Sequence, residues 1–93
     1  MTKKIAVICG AGIATSTYMK IKIEDLCKLH NIEVNISKGL LQEADRLTQG
    51  ADFIVSTVTI SKDYGIPVIN GLPLIIGINE EETLQTILNL LTQ

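Results

Sequence analysis

Several residue types and patterns are scarce in this chain of 93 residues, and each scarcity excludes a class of protein. Tryptophan is absent and aromatic residues make up only 3%, so aliphatic side chains must fill the core, for which 46% hydrophobic residues are ample. The net charge is −2 and no block of one sign occurs, whereas a nucleic-acid binder usually carries a basic stripe. No apolar run reaches the roughly 20 residues that a membrane-spanning helix requires. We therefore expect neither nucleic-acid binding nor insertion into a membrane.

Cysteine and histidine are also rare. The two cysteines, Cys9 and Cys27, have no CxxC spacing, and His30 is the single histidine. The apolar run that follows Lys4 stops at Cys9, which is too short for the apolar region of a secretory signal peptide. These features predict a cytoplasmic protein with free thiols. No spacing of metal ligands is present, so neither a metal nor a cofactor is expected.

The hydrophobic pattern predicts alternating strands and helices in one domain that spans residues 1–93. Continuous or alternating apolar residues predict strands at 4–8, 32–36, 53–55 and 67–69, with a further extended piece at 74–78. Helical spacing predicts helices at 15–30 and 40–47, and a last helix that begins after Asn79. A polar loop is expected at 56–65. This order indicates an α/β three-layer sandwich with a four-stranded parallel sheet.

Two helix ends carry capping signals. Asn31 follows the first helix and is a plausible C-cap residue, while Asn79 and Glu82 have the spacing of a capping box. Within the first helix, Cys27 continues an apolar stripe and is expected in the core. His30 closes that stripe at the end of the helix opposite to Cys9.

A loop of small residues joins the first strand to the first helix, and Cys9 begins it. In a parallel sheet such a loop lies at the carboxyl end of the strand, where ligands bind. Its backbone N–H groups and the positive end of the following helix form an anion site. The same groups would stabilise a thiolate and then the oxygens of a phosphocysteine, so Cys9 is a candidate nucleophile. The alternative is a buried cysteine beside an ordinary glycine turn.

Other uses of this loop fit the residues less well. A dinucleotide site requires G-x-G-x-x-G/A, but Thr15 occupies the last position, and Ser37 and Lys38 stand where an acidic residue would follow the second strand. A Walker loop would require Gly-Lys-Ser/Thr, which is absent. A phosphatase of the low-molecular-weight type uses Cys-x5-Arg, but Thr15 also takes the arginine position. The single arginine is Arg46, and no Asp-Pro acid loop occurs. Such a loop would bind phosphocysteine but hydrolyse it slowly.

The chain resembles the galactitol-type IIB component of the phosphoenolpyruvate-dependent sugar phosphotransferase system (PTS). The specific part is the stretch from Cys9 to Thr17, with the pattern Cys-Gly-x-x-x-Ala-Thr-Ser-Thr. Residues 26–32 and 66–73 agree in pattern, so that the similarity spans nearly the whole chain. The resemblance implies a fold like that of the low-molecular-weight phosphatases.

The resemblance also implies a function and its partners. Cys9 would accept a phosphoryl group from a phosphohistidine of the IIA component. It would pass the group to a sugar, galactitol or a related polyol, bound to the membrane IIC component, so that the protein is transiently at the inner face of the membrane. By match to the family loop, seven residues would surround the phosphate: Gly10, Ala11, Gly12, Ile13, Ala14, Thr15 and Ser16. Two alternatives are a cysteine-dependent phosphatase and a non-catalytic anion-binding regulatory module.

Some other residues could belong to a site, but the sequence favours simpler roles for most of them. Thr57, at the end of the third strand, is a weaker candidate for the mouth of the phosphate site. Asp63 and Tyr64 fall in the polar loop and are expected in solvent, the alternative being contact with a partner or with the phosphocysteine. Residues 80–82, all glutamates, suit a helix N-terminus better than a metal cluster.

Overall fold

A computed structural model of the chain describes residues 2–10 and 13–92, with the backbone alone at residues 13 and 14. Four strands form one sheet with the order β2-β1-β3-β4, and all three pairings are parallel. The strands are β1 (Lys3–Cys9), β2 (Val34–Leu40), β3 (Phe53–Ser56) and β4 (Val68–Asn70). The helices are α1 (Ile13–Leu29), α2 (Ala44–Leu47), α3 (Leu72–Ile76) and α4 (Glu80–Leu91), and a 3-10 turn (Leu41–Glu43) precedes α2. The predicted parallel α/β architecture is confirmed.

The sheet separates two hydrophobic cores, because successive side chains of a strand point to opposite faces. The first core contains Ile5, Val7 and Phe53 and is covered by α1, α3 and α4. The second core contains Ile8 and Ile54 and is covered by α2. On this second face the connection from β3 to β4 forms no helix. Instead, the loop itself contributes apolar side chains: Val58, Ile60, Tyr64 and Ile66.

The end of α1 has the hydrogen bonds of a Schellman motif. Asn31 has a positive φ of 55° and its N–H donates to the Lys28 carbonyl at 3.3 Å. The Ile32 N–H donates to the Cys27 carbonyl at 2.8 Å. This pair of bonds satisfies carbonyls that the helix leaves open, and asparagine tolerates the left-handed conformation better than most residues. The predicted C-cap at Asn31 is confirmed.

The prediction of an extended piece at residues 74–78 is wrong, because the segment forms α3 and its C-terminal cap. Pro73 lies in the first turn of that helix, where its missing N–H costs nothing. The Asn70 side-chain oxygen accepts a hydrogen bond from the Leu72 N–H at 3.0 Å just before the helix. Gly77, with a φ of 77°, ends it in the left-handed conformation. A short apolar run alone does not distinguish a buried strand from a buried helix.

Three further boundaries differ from their predictions. Strand β2 begins two residues later than expected and extends to Leu40, because it pairs with β1 along all seven residues. The expected helix over 40–47 is divided into a 3-10 turn and the single turn α2. Asn79 has a positive φ of 59° and makes no side-chain cap, so the predicted capping box is absent. None of the helices within residues 2–10 and 13–92 is long and apolar enough to cross a membrane.

Candidate active site

Cys9 lies at the point where the order of the strands reverses. The chain leaves β1 for β2 on one side and later returns to β3 on the other side of β1. The carboxyl ends of β1 and β3 therefore flank a crevice, which is where parallel α/β sheets bind ligands. Cys9 is the last residue of β1, its side chain is 1% exposed and its thiol is free. The sequence thus predicted correctly the strand end that carries this residue.

The predicted phosphate-binding residues follow Cys9 directly, and the structure describes part of them. Gly10 is exposed immediately beyond the strand. Ala11 and Gly12 lie outside the described residues, and Ile13 and Ala14 supply the first backbone groups of α1. Thr15 is half-buried in the first turn and Ser16 is buried beside it. The N-terminal end of α1, which begins at Ile13, therefore follows Cys9 within four residues.

The electrostatics of the first turn of α1 favour an anion. The first N–H groups of a helix have no partner within the helix, and the helix dipole is positive at that end. The first turn of α1 contains no acidic residue that would occupy these groups or repel a phosphate. Its last turn carries Lys28, at the end where a cation is favourable.

The ends of β3 and β4 form the opposite wall of the crevice. Thr57 donates its N–H to the Ile8 carbonyl at 3.2 Å and so continues the pairing of β3 with β1 up to the level of Cys9. The Ser56 hydroxyl donates to the Val58 carbonyl at 2.7 Å and accepts from the Val58 N–H at 3.1 Å, which fixes a tight turn. A groove of about 490 Å³ lies along this wall. Its lining includes residues 56–60 with Val68, Asn70 and Leu72.

Gly10 is constrained by the turn that follows β3. A Cβ atom added at this residue would lie 2.6 Å from Cγ1 of Val58, which is closer than carbon atoms can approach. The loop that begins at Cys9 therefore passes directly against the β3 turn. The backbone conformation at Gly10 is not left-handed, so conformational freedom is not the reason for a glycine here. The reason is the lack of space for a side chain beside Val58.

We expect Gly10→Ala to lower the free energy of unfolding by about 1–3 kcal/mol, because the added methyl group overpacks this contact. Val58→Ala removes the opposing methyl group, so the double variant should lose less than the sum of the two single losses. Urea denaturation of the wild type, both single variants and the double variant measures this coupling. Strictly additive losses would show that the two residues do not press on each other.

The second cysteine has the properties of a structural residue, as predicted. Cys27 is 2% exposed and packs in the first core. Burial raises the pKa of its thiol, and the Glu24 carboxylate raises it further. A protonated thiol is a poor nucleophile, so Cys27 is not a candidate for covalent chemistry.

The other residues considered in the sequence do not join the crevice. His30 is exposed directly after the last residue of α1, and a helix of 17 residues separates its ends by about 25 Å. Its predicted place on the buried stripe is wrong, because the chain leaves the helix at this residue. Residues 80–82 begin α4, where Glu80 pairs with Lys22. In the described part of the chain no group of three potential ligands could hold a metal ion.

Asp63 and Tyr64 shape the loop between β3 and β4. Asp63 accepts a hydrogen bond from the Gly65 N–H at 2.8 Å, and the Tyr64 hydroxyl donates to Asp45 of α2 at 2.6 Å. Lys62 pairs with the same carboxylate at 3.0 Å. The Tyr64 hydroxyl, together with Lys62, holds the pKa of Asp45 below its ordinary value. This loop is therefore attached to α2, and the expectation that Tyr64 lies simply in solvent is wrong.

Arg46 is also engaged away from Cys9. It lies on α2, its side chain is 68% exposed, and its guanidinium pairs with Glu43 at 2.5 Å. Helix α2 covers the second core, whereas Cys9 belongs to the first core on the other face of the sheet. The single arginine therefore does not supply the guanidinium of a cysteine phosphatase.

One cation beside the first turn of α1 is not predicted by the sequence pattern as part of a site. Lys38, in β2, lines a cavity of about 270 Å³ together with Ser16 of α1 and with Gly39, Leu40 and Glu43. Val34 and Ile36 lie on the same face of β2, and Lys38 is the next residue on that face. A lysine therefore stands where the alternation of β2 predicts another apolar residue. The pattern alone did not show which element would cover that lysine.

The family of the chain follows from comparison with known proteins. The family model described as "PTS system, Lactose/Cellobiose specific IIB subunit" matches residues 4–86. The chain belongs to the PTS IIB family. The IIB protein is 36% identical over 92 residues to the galactitol-specific EIIB component of Escherichia coli (strain K12), an alignment that covers 98% of each chain. The predicted similarity to the galactitol-type components is confirmed.

Solved structures of two other IIB proteins have the same fold. The lactose-specific IIB domain of Streptococcus pneumoniae superposes with a TM-score of 0.66 at 20% identity, over 96% of this chain and 97% of that chain. The cellobiose-specific IIB protein of Borrelia burgdorferi gives a TM-score of 0.61 at 22% identity, over 99% of this chain and 94% of that chain. At these identities the likeness concerns the fold alone.

Proposed function

We propose that this IIB protein is a phosphocarrier in which Cys9 receives and donates the phosphoryl group. The observation that carries the proposal is the placement of Cys9 at the reversal of strand order, four residues before the N-terminus of α1. Backbone N–H groups of the loop and of the first turn would bind the phosphoryl oxygens, as expected for Gly10, Ala11, Gly12, Ile13, Ala14, Thr15 and Ser16. The other cysteine is not a competing nucleophile, since Cys27 is a buried thiol whose pKa is raised.

The proposed reaction has two displacement steps at phosphorus. In the first, the Cys9 thiolate attacks a phosphohistidine of the IIA component. The S–P bond forms, the N–P bond breaks and the imidazole nitrogen keeps the electron pair. In the second, a sugar hydroxyl bound to the IIC component attacks. The O–P bond forms, the S–P bond breaks, Cys9 returns as the thiolate and the hydroxyl proton passes to a base or to water. The sulfur must become accessible for both steps, because the Cys9 side chain is only 1% exposed here.

The same residues favour transfer over hydrolysis. A cysteine phosphatase stabilises the developing charge with an arginine beside the phosphate. Here Thr15 occupies that position of the loop, and Arg46 is paired with Glu43 on the other face of the sheet. We therefore propose that the phosphocysteine persists until a sugar acceptor arrives. Galactitol or a related polyol is the proposed substrate, because the relative from Escherichia coli is a galactitol-specific component. The proposed location is the cytoplasm, with transient docking at the inner face of the membrane.

The test is the intact mass of the protein after incubation with phosphoenolpyruvate, the general PTS proteins and a matching IIA component. We expect a gain of one phosphoryl group, mapped to the peptide that contains Cys9, and its loss when a IIC component loaded with galactitol is added. No gain in mass, with the IIA component shown to be phosphorylated, would contradict the proposal. Steady release of phosphate from a phenyl phosphate would instead favour the phosphatase.

A further inference from the structure

Lys38 belongs to the same face of the sheet as Cys9. The two strands pair in register, with Cys9 opposite Leu40 and Val7 opposite Lys38. Paired residues of neighbouring strands project to the same side, and Val7 and Cys9 both lie in the first core under α1. The Lys38 side chain therefore points into the layer between the sheet and α1, two residues before the level of Cys9 along the strand. It is half-buried there.

The cavity that Lys38 lines opens beside the N-terminal turn of α1. Ser16 of α1 contributes one wall, and Gly39 and Leu40 at the end of β2 contribute another. Leu40, which lines this space of about 270 Å³, is the residue paired with Cys9 in the sheet. Neighbouring strands lie about 5 Å apart and two residues along a strand span about 7 Å, and the flexible four-carbon side chain of a lysine covers much of such a separation. Its ammonium group can therefore reach the region into which the Cys9 side chain would carry a phosphoryl group.

The charge of Lys38 is not compensated within the described residues, 2–10 and 13–92. In that part of the chain its ammonium group makes neither an ion pair nor a hydrogen bond. Glu43 lines the same cavity, but its carboxylate accepts from the Leu40 N–H at 3.1 Å and from Arg46 at 2.5 Å. An ammonium group without a counterion is available to an anion, and a phosphoryl dianion beside it would make a charge-assisted hydrogen bond.

We propose that the Lys38 ammonium group binds the phosphoryl group carried by Cys9. This contact would raise the equilibrium constant for phosphoryl transfer from the IIA component to Cys9. This inference rests on the proposed phosphocarrier function. A point charge at this place would stabilise the dianion in the phosphorylated state. Unlike the planar guanidinium of a phosphatase, a lysine does not clamp two equatorial oxygens at once. Lys38 would thus favour storage of the group without the fixed bidentate contact used in hydrolysis.

The test compares Lys38→Met and Lys38→Arg with the wild type, and uses Lys28→Met as the matched control. Lys28 is an exposed lysine in the last turn of α1, at the end of the helix away from Cys9. The quantity measured is the equilibrium constant for phosphoryl transfer from a fixed amount of phosphorylated IIA component. We expect Lys38→Met to lower it by about ten- to a hundredfold, the range for loss of one charged hydrogen bond, with Lys38→Arg close to wild type. Lys28→Met should leave it unchanged.

A second readout separates this role from a structural one. Titration of the phosphocysteine by phosphorus NMR should give a higher pKa for the phosphoryl group in Lys38→Met, because a nearby cation favours the dianion. A variant that only disturbed packing would not move that titration. If Lys38→Met does not fold, Lys38→Gln provides the same comparison.

The possible failures are distinct. If the wild type gains no phosphoryl group on Cys9, the proposed function itself is wrong. If the wild type is phosphorylated and the Lys38 variants have the same equilibrium constant and titration, the role of Lys38 is overturned while the carrier function stands.

Discussion

Changing Cys9 to serine is expected to abolish phosphoryl transfer to the sugar. A serine hydroxyl is not ionised near neutral pH and lacks the nucleophilicity of a thiolate, so the first displacement would fail. Any phosphoserine that did form would be a stable ester without a good leaving group. Removal of a nucleophile usually costs several orders of magnitude, so we expect sugar phosphorylation to fall by at least about a thousandfold. The measurement is the rate of sugar phosphate formation with IIA and IIC components present.

Cys27→Ser is the matched control for this change. Both cysteines are buried, free and part of the first core, so the two variants place the same hydroxyl in similar surroundings. We expect Cys27→Ser to retain the transfer rate, although a buried hydroxyl without an ideal partner lowers stability by about 1–3 kcal/mol. Equal activity of wild type and Cys9→Ser would refute the carrier function of Cys9. If Cys27→Ser lost transfer and Cys9→Ser did not, the nucleophile would be Cys27 and not Cys9.

Phe53→Ala is expected to cause the largest loss of stability among single core substitutions. Phe53 is the only phenylalanine, is 1% exposed and pairs with Ile5 between β3 and β1. Truncation of a buried phenylalanine leaves a cavity and costs about 3–5 kcal/mol. A domain of this size is stabilised by roughly 5–15 kcal/mol, so the variant would lose a large part of its free energy of unfolding.

Chemical denaturation measures this loss, and Leu29→Ala serves as the control. Leu29 is also a large apolar residue, but it is 78% exposed at the end of α1, so its truncation should change the free energy of unfolding by less than about 0.5 kcal/mol. A loss below about 1 kcal/mol for Phe53→Ala would mean that the first core collapses around the missing ring. Similar losses in both variants would contradict the burial described for these two residues.

The local sequence predicts best the strand β1 and the end of α1, because both are determined by the residues that form them. Residues 5–8 form a continuous apolar run, which is typical of a strand buried on both faces, and β1 contains it. Asn31 tolerates the left-handed conformation, so the end of α1 was recognisable without knowledge of its neighbours.

Short apolar segments were interpreted less reliably. Residues 74–78 were expected to be extended, yet the turn chemistry of Asn70, Pro73 and Gly77 makes α3 a helix. The alternation predicts that β2 starts at Ile32, two residues before the pairing with β1 begins at Val34. For α3 the deciding residues flank the apolar run, and for β2 the deciding contacts come from a strand distant in the chain; the periodicity of a few residues contains neither.

The sequence by itself determined that a cysteine ends a buried strand and is followed by a small-residue loop and a helix. Consecutive residues must be neighbours in space, so the chain order alone brings Cys9 and the start of α1 together. Only the tertiary structure decided that Val58 packs against Gly10 and that Lys38 and Ser16 line one cavity. It also decided that Arg46 is paired on the opposite face. These placements depend on the order and register of four strands, in which a shift of one residue would turn every side chain to the other face.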